Sequence, residues 1–148
     1  MVSSVVLCML LSTLCGGDAP DLSLHFREVE AVRDSGTGKE YDQGCKAIRD
    51  ALHDLPFDRF TMLSDQKLTL KAGEEKRLSL NTAYSLCLRY EGVDDSGRSR
   101  LAVTVELTES SPGRKVVETV LLLAPNKKAR IGGLRKDPGE LVLVFSTP

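Results

Sequence analysis

Tryptophan is absent from this chain, and three Tyr and four Phe are the only aromatic side chains among 148 residues. Any core must therefore be built mainly from Leu, Val, Ile and Ala, with Phe26, Phe57, Phe60 and Phe145 as the large fillers. Histidine is nearly as scarce: His25 and His53 stand alone. No Gly-x-Ser-x-Gly elbow, no His-Glu-x-x-His pair and no Cys-x-x-Cys pair occurs. These gaps remove the local signatures of an α/β-hydrolase, a zincin, and a zinc knuckle or thiol redox centre. Between Pro112 and Asp137, the most basic part of the chain, there is no aromatic residue. Base stacking has no platform there, so nucleic acid is not an expected partner. No apolar run reaches the roughly 20 residues that a membrane-spanning helix needs. Neither a metal nor a cofactor is expected from these residues.

What is present begins with an uncharged stretch, Met1 to Gly17. Val5 to Leu14 is apolar apart from Ser12 and Thr13, a length that suits the apolar part of a secretory signal. Gly16 and Gly17 are small and Asp18 is polar, so cleavage after Gly17 is expected, leaving one domain over residues 18–148. The stretch departs from the usual signal in having no Lys or Arg at its start. An exported protein, periplasmic or secreted, is the expectation. Cys15 offers an alternative, lipid attachment after cleavage before the Cys, which would anchor the protein. Leu14 and Ser12 stand where that signal usually has Gly or Ala and Leu.

Residues 21–33 read as a strand in which Leu22, Leu24 and Phe26 alternate with polar neighbours. The alternation slips at residues 28–31, the mark of a bulge. Residues 39–55 read as one amphipathic helix, because Tyr41, Cys45, Ile48 and Leu52 form a stripe widened by Ala51 and Leu55. Gly44 weakens that helix and Pro56 stops it. From Phe57 onward the chain reads as short strands: residues 59–63, 67–71, 77–80, 84–90, 116–123, 129–134 and 140–146, with Leu101, Val103, Val105 and Leu107 in the cleanest alternation. The connections are too short for parallel crossovers, so antiparallel pairing of consecutive strands is expected. The fold class expected is α+β: a mainly antiparallel β-sheet, as a sandwich or partial barrel, with one amphipathic helix packed on it.

Charge is unevenly distributed. Between Pro112 and Asp137 seven basic residues face only Glu118 and Asp137, a net +5; residues 18–65 carry six basic and eleven acidic residues, a net −5. Lys127, Lys128, Arg130, Arg135 and Lys136 are the candidate anion-binding residues, although Lys and Arg also serve on sheet edges to deter pairing with other chains. The stretch Arg130 to Phe145 contains Gly132-Gly133, but a strand follows rather than a helix, so a phosphate loop is excluded and Asp137-Pro138-Gly139 reads as a turn. Cys45 and Cys87 would remain after processing, either as a disulfide or as two buried free thiols. His53, beside Asp50 and Asp54, suits a helix end. His25 or His53 with nearby acids would be the residues of a small hydrolase.

The stretches ALHDLPFDRFTMLSDQKLTLKAGEEKRLSL and ETVLLLAPNKKARIGGLRKDPGELVLVFS resemble a group of small exported bacterial proteins without assigned biochemistry. That resemblance implies compartment and a β-rich fold. The tail also resembles the Gly-Gly-Leu segment of secretin outer-membrane channels, which implies an envelope component as partner; the Leu-Gly-Asp-Ile-Pro stretch of secretins is missing here. The expected function is a non-enzymatic accessory module that binds proteins through a sheet face or an edge. The last two strands are the expected edge. An anion-binding module and a small hydrolase are the alternatives.

Overall fold

The computed structural model describes residues 20–34, 36, 38–80, 83–108 and 113–148. The expected leader, residues 1–17 with Cys15, lies outside the described residues. Nine strands, nearly all antiparallel, and one short helix make up the described chain: β1 (Leu22–Val32), β2 (Glu40–Tyr41), a 3-10 turn (Lys46–Ile48) running into α1 (Arg49–Leu52), β3 (Arg59–Leu70), β4 (Glu75–Ser79), β5 (Tyr84–Val93), β6 (Ser99–Leu107), β7 (Arg114–Leu123), β8 (Lys128–Lys136) and β9 (Gly139–Ser146). They form a five-stranded sheet in the order β2-β3-β1-β9-β8 and a four-stranded sheet in the order β4-β5-β6-β7. The arrangement is sandwich-like. Only the two-residue β2 runs parallel to its neighbour β3.

Two apolar clusters follow from the alternation. The first lies between the sheets, where Leu24, Phe26, Leu141, Leu143 and Phe145 meet Leu86, Leu88, Tyr90, Leu101 and Val103. Phe26 and Phe145 sit side by side with ring centres 5.3 Å apart. The second lies on the outer face of the five-stranded sheet, where Val29, Ala31, Phe60, Val142 and Val144 are covered by Cys45, Ile48 and Leu52. A register shift against β3 lies at Glu28 and Val29, but the extra residue is Leu63 of β3; β1 itself pairs with β9 without a shift, so the bulge expected in β1 lies in its neighbour. β3 runs unbroken through residues 59–70, so the two strands expected there are one.

The long amphipathic helix expected over residues 39–55 does not form. Glu40 and Tyr41 pair with β3, residues 43–45 turn, and the helical part covers residues 46–52. Asp42 explains the interruption. Its carboxylate accepts from the backbone N–H of Cys45 at 2.9 Å and of Met62 at 2.7 Å, holding the chain in a turn against β3. Gly44 fits that turn because a Cβ there would lie 2.8 Å from Cβ of Met62. Tyr41 stacks on Phe60 with centres 5.1 Å apart, and Arg49 lies over the Tyr41 ring. Lys39 donates to the carbonyls of Leu55 and Phe57, which ties down the far end of the segment.

The last two strands are not both at an edge. β9 lies between β1 and β8, and only β8 is at the rim. The cause is visible in Leu141 to Phe145, all fully buried: such a run needs cover on both faces, which an edge position beside solvent does not give.

Candidate functional site

The basic C-terminal segment is largely matched within the molecule. Lys128 reaches Asp50 at 3.1 Å. Arg130 grips Asp54 through two hydrogen bonds of 2.5 and 2.9 Å and also donates to the carbonyl of Ala51. Lys136 pairs with Glu30. The positive and negative segments of the sequence are thus brought together, with β8 beside the helical segment. The Arg130 guanidinium holds the Asp54 carboxyl at about 2, below its ordinary 3.8. Of the five candidate anion-binding residues, Lys127 and Arg135 have no side-chain partner among the described residues; the backbone carbonyl of Arg135 accepts from the Tyr84 hydroxyl at 3.0 Å.

Cys45 and Cys87 are free thiols, so the disulfide is not formed. Cys45 is buried beneath the helix, and burial, with Asp42 beside it, pushes its thiol far up. Cys87 lies half-buried on the other sheet, also raised by burial and by neighbouring Glu75. Among the described residues no group of three or more His, Cys, Asp or Glu stands together as a metal site. No helix of the described residues is long and apolar enough to cross a membrane.

The two histidines lie apart. His53 Nδ1 is 3.1 Å from the carbonyl of Asp50 at the end of α1. His25 pairs with Asp65 on the exposed half of the five-stranded sheet, and Arg27 approaches the same carboxylate at 3.7 Å. A cavity of about 390 Å³ opens beside His25, lined by Lys67, Thr69 and Ser146 among others. Ser146 is the cross-strand neighbour of His25. No hydrogen bond joins its hydroxyl to the ring, so a nucleophile and base in contact are not assembled there.

The outer face of the four-stranded sheet is different in kind: no other element of the described chain covers it. Register places Arg77, Cys87, Thr104 and Glu118 in one row across the four strands, and Glu75, Arg89, Ala102 and Val120 in the next. Cys87, Ala102 and Thr104 therefore form a patch of small side chains on the two inner strands, bordered by Arg89 of β5 in the second row and by Glu75, Arg77, Glu118 and Val120 of the outer strands. The result is a groove of about 410 Å³, with a floor two strands across, or about 10 Å. Its walls carry both signs. Glu75 pairs with Arg77 at 3.4 Å, Arg89 with Glu91 at 3.0 Å, and Lys115 with Glu118 at 3.8 Å. Glu91 also takes Arg100 at 3.7 Å.

Sequence reasoning passed over this groove. Its floor residues are unremarkable singly, and only the pairing register brings Cys87, Ala102 and Thr104 together. The signal available in the sequence was the small residues at outward positions of β5 and β6, between rows of charge. No protein family, curated protein or solved structure matches the chain.

Proposed function

We propose that the protein is a non-enzymatic accessory module, exported to the cell envelope or its surroundings, that binds an extended segment of another protein in the groove of the four-stranded sheet. The observation that carries this is the contrast between the two outer faces. The five-stranded sheet covers part of its outer face with its own helical segment, while the four-stranded sheet leaves a groove floored by Cys87, Ala102 and Thr104 uncovered among the described residues. Charges of both signs along the walls suit a polypeptide with mixed charge, giving orientation and specificity rather than large affinity. The uncharged leader and the resemblance to small exported bacterial proteins support the compartment.

Replacing Ala102 by Arg fills the floor from an outward-facing position. The tagged chain, this variant and a Lys67→Glu control on the opposite sheet are compared by cross-linking and mass spectrometry after export. A partner recovered with the wild type and the control, and lost with Ala102→Arg, is the expected result. An identical set of partners from all three would overturn the reading. Intact mass of the same material reports leader cleavage and lipid attachment.

A further inference from the structure

The four rims of the two sheets differ in how they meet solvent. β2 is two residues long, and β4 is five residues with Glu75, Lys76 and Arg77 at its start. β8 is broken by the bulge at Gly132-Gly133, where Gly133 has φ of +82° and its N–H is taken by the Glu140 carboxylate at 3.2 Å. Short length, charge and bulges are the means by which sheet rims avoid joining other chains. β7 has them only at its beginning, with Arg114, Lys115 and a register shift opposite Val105 and Glu106. From Val117 to Leu123 its pairing with β6 is regular, and Glu118 is the only charge. Two of the three large exposed apolar side chains of the described chain, Val120 and Leu122, are on this strand.

We propose that β7 is a homodimer contact, pairing antiparallel with β7 of a second copy about a two-fold axis at Val120. The segment is self-complementary in that register. Val120 meets its own copy, and Thr119 meets Leu121. Glu118 meets Leu122, so the two Glu118 carboxylates are separated along the strand instead of facing each other. Leu122 is also the cross-strand neighbour of Arg100. In the joined sheet Arg100 and Glu118 of the second copy flank Leu122 on the same face, opposite charges two strands apart, within reach of their long side chains. The mirror pair arises at the other end of the contact. Registers shifted by two residues lose this match: a two-fold at Thr119 brings the two Glu118 closer, and the Arg100 relation disappears. A second copy thus fits the charge pattern, and an eight-stranded sheet with two parallel grooves results. Glu118 and Val120 also border the groove, but the dimer does not rest on the groove reading, because pairing along β7 and the match of Arg100 with Glu118 need nothing bound there.

Sedimentation equilibrium of the full chain tests this, together with cysteine cross-linking in a background with Cys8, Cys15 and Cys87 replaced by Ser. The unsubstituted chain is expected to be dimeric, and the double variant Val120→Lys, Leu122→Lys monomeric with an unchanged circular dichroism spectrum. Val120→Cys is expected to form a disulfide dimer about tenfold faster than Glu118→Cys, since only residues facing each other come within bonding distance. A variant pair, Glu118→Cys with Leu122→Cys, restores linking. A monomeric unsubstituted chain, a dimer untouched by the two lysines, or equal linking at positions 118 and 120 would each overturn the proposal. If a different protein occupies the strand, the chain alone sediments as a monomer; loss of the groove's partner leaves the dimer result unaffected.

Discussion

At the scale of single residues, Asp42 decides the local path of the chain. Burial alone would push its carboxyl up, but hydrogen bonds from the Met62 N–H and from the thiol and N–H of Cys45 outweigh it and hold it below 3.8. A depressed folded value has one sign of consequence: the carboxylate contributes its full stabilisation above the ordinary value, and that contribution is lost as pH falls through the depressed one. Asp42→Asn keeps the shape but offers a single acceptor oxygen, so it removes the charge and leaves one of the two N–H groups, of Cys45 or of Met62, without its acceptor. A loss of about 2 kcal/mol is expected in urea denaturation at neutral pH, from the strength of charged hydrogen bonds. The difference between wild type and variant should shrink in acid; a difference that does not change with pH would show that the charge is immaterial. The thiols give a second residue-level expectation. Buried Cys45, held protonated, should resist alkylation until denaturant is added, while half-exposed Cys87 reacts in the folded protein. Peptide mapping of the alkylated sites checks it, and equal labelling would contradict the burial of Cys45.

At the scale of elements, the glycines of the β8-β9 hairpin separate two roles that look alike in the sequence. A Cβ on Gly139 would overlap the carbonyl of Ala31 and lie 3.0 Å from Cα of Val32, both backbone atoms that cannot swing aside. Gly132 has open space around its Cβ position. Gly139→Ala is therefore expected to cost on the order of 3 kcal/mol, and Gly132→Ala to stay within about 0.5 kcal/mol, by chemical denaturation; similar costs would mean that β9 does not press on β1 as described. How much of this was legible follows the range of each signal. Period-two alternation is local, so Leu101, Val103 and Val105 marked β6 and its buried face correctly. The break at residues 28–31 marked where burial passes from one face of β1 to the other, with Glu28 and Val29 both buried, while the bulge itself lies in β3. The stripe of Tyr41, Cys45, Ile48 and Leu52 named the right buried residues but the wrong element. A turn held by Asp42 against a strand twenty residues away presents the same face to the sheet as a helix would. β9 carried a readable signal that edge placement ignored, an unbroken apolar run of the kind that marks a strand covered on both faces. The union of Lys128 and Arg130 with Asp50 and Asp54, and the groove floor, depend on contacts across the fold that no local pattern encodes.

At the scale of the whole molecule, β9 joins what would otherwise be two separate cores. Leu141, Leu143 and Phe145 point between the sheets, and Val142 and Val144 point under the helical segment. Neither cluster can lose its packing without disturbing the backbone that holds the other. β1 repeats the device, with Phe26 on one side and Val29 and Ala31 on the other. Such sharing predicts that the domain unfolds in one transition rather than shedding its helical cap first. Ile48→Ala, beneath the cap, and Leu143→Ala, between the sheets, each remove a fully buried side chain and should each cost about 2–5 kcal/mol. Both are expected to lower a single midpoint, seen identically by far-ultraviolet circular dichroism and by tyrosine fluorescence. Tyr90 lies in the inter-sheet cluster and Tyr41 beside the cap, so the tyrosine signal draws on both cores, and Tyr41→Phe leaves it without its reporter beside the cap. If Ile48→Ala instead produced an early step in which the cap was lost while the inter-sheet core persisted, the coupling assigned to β9 would fail. The helical segment would then be an appendage on an independently stable pair of sheets.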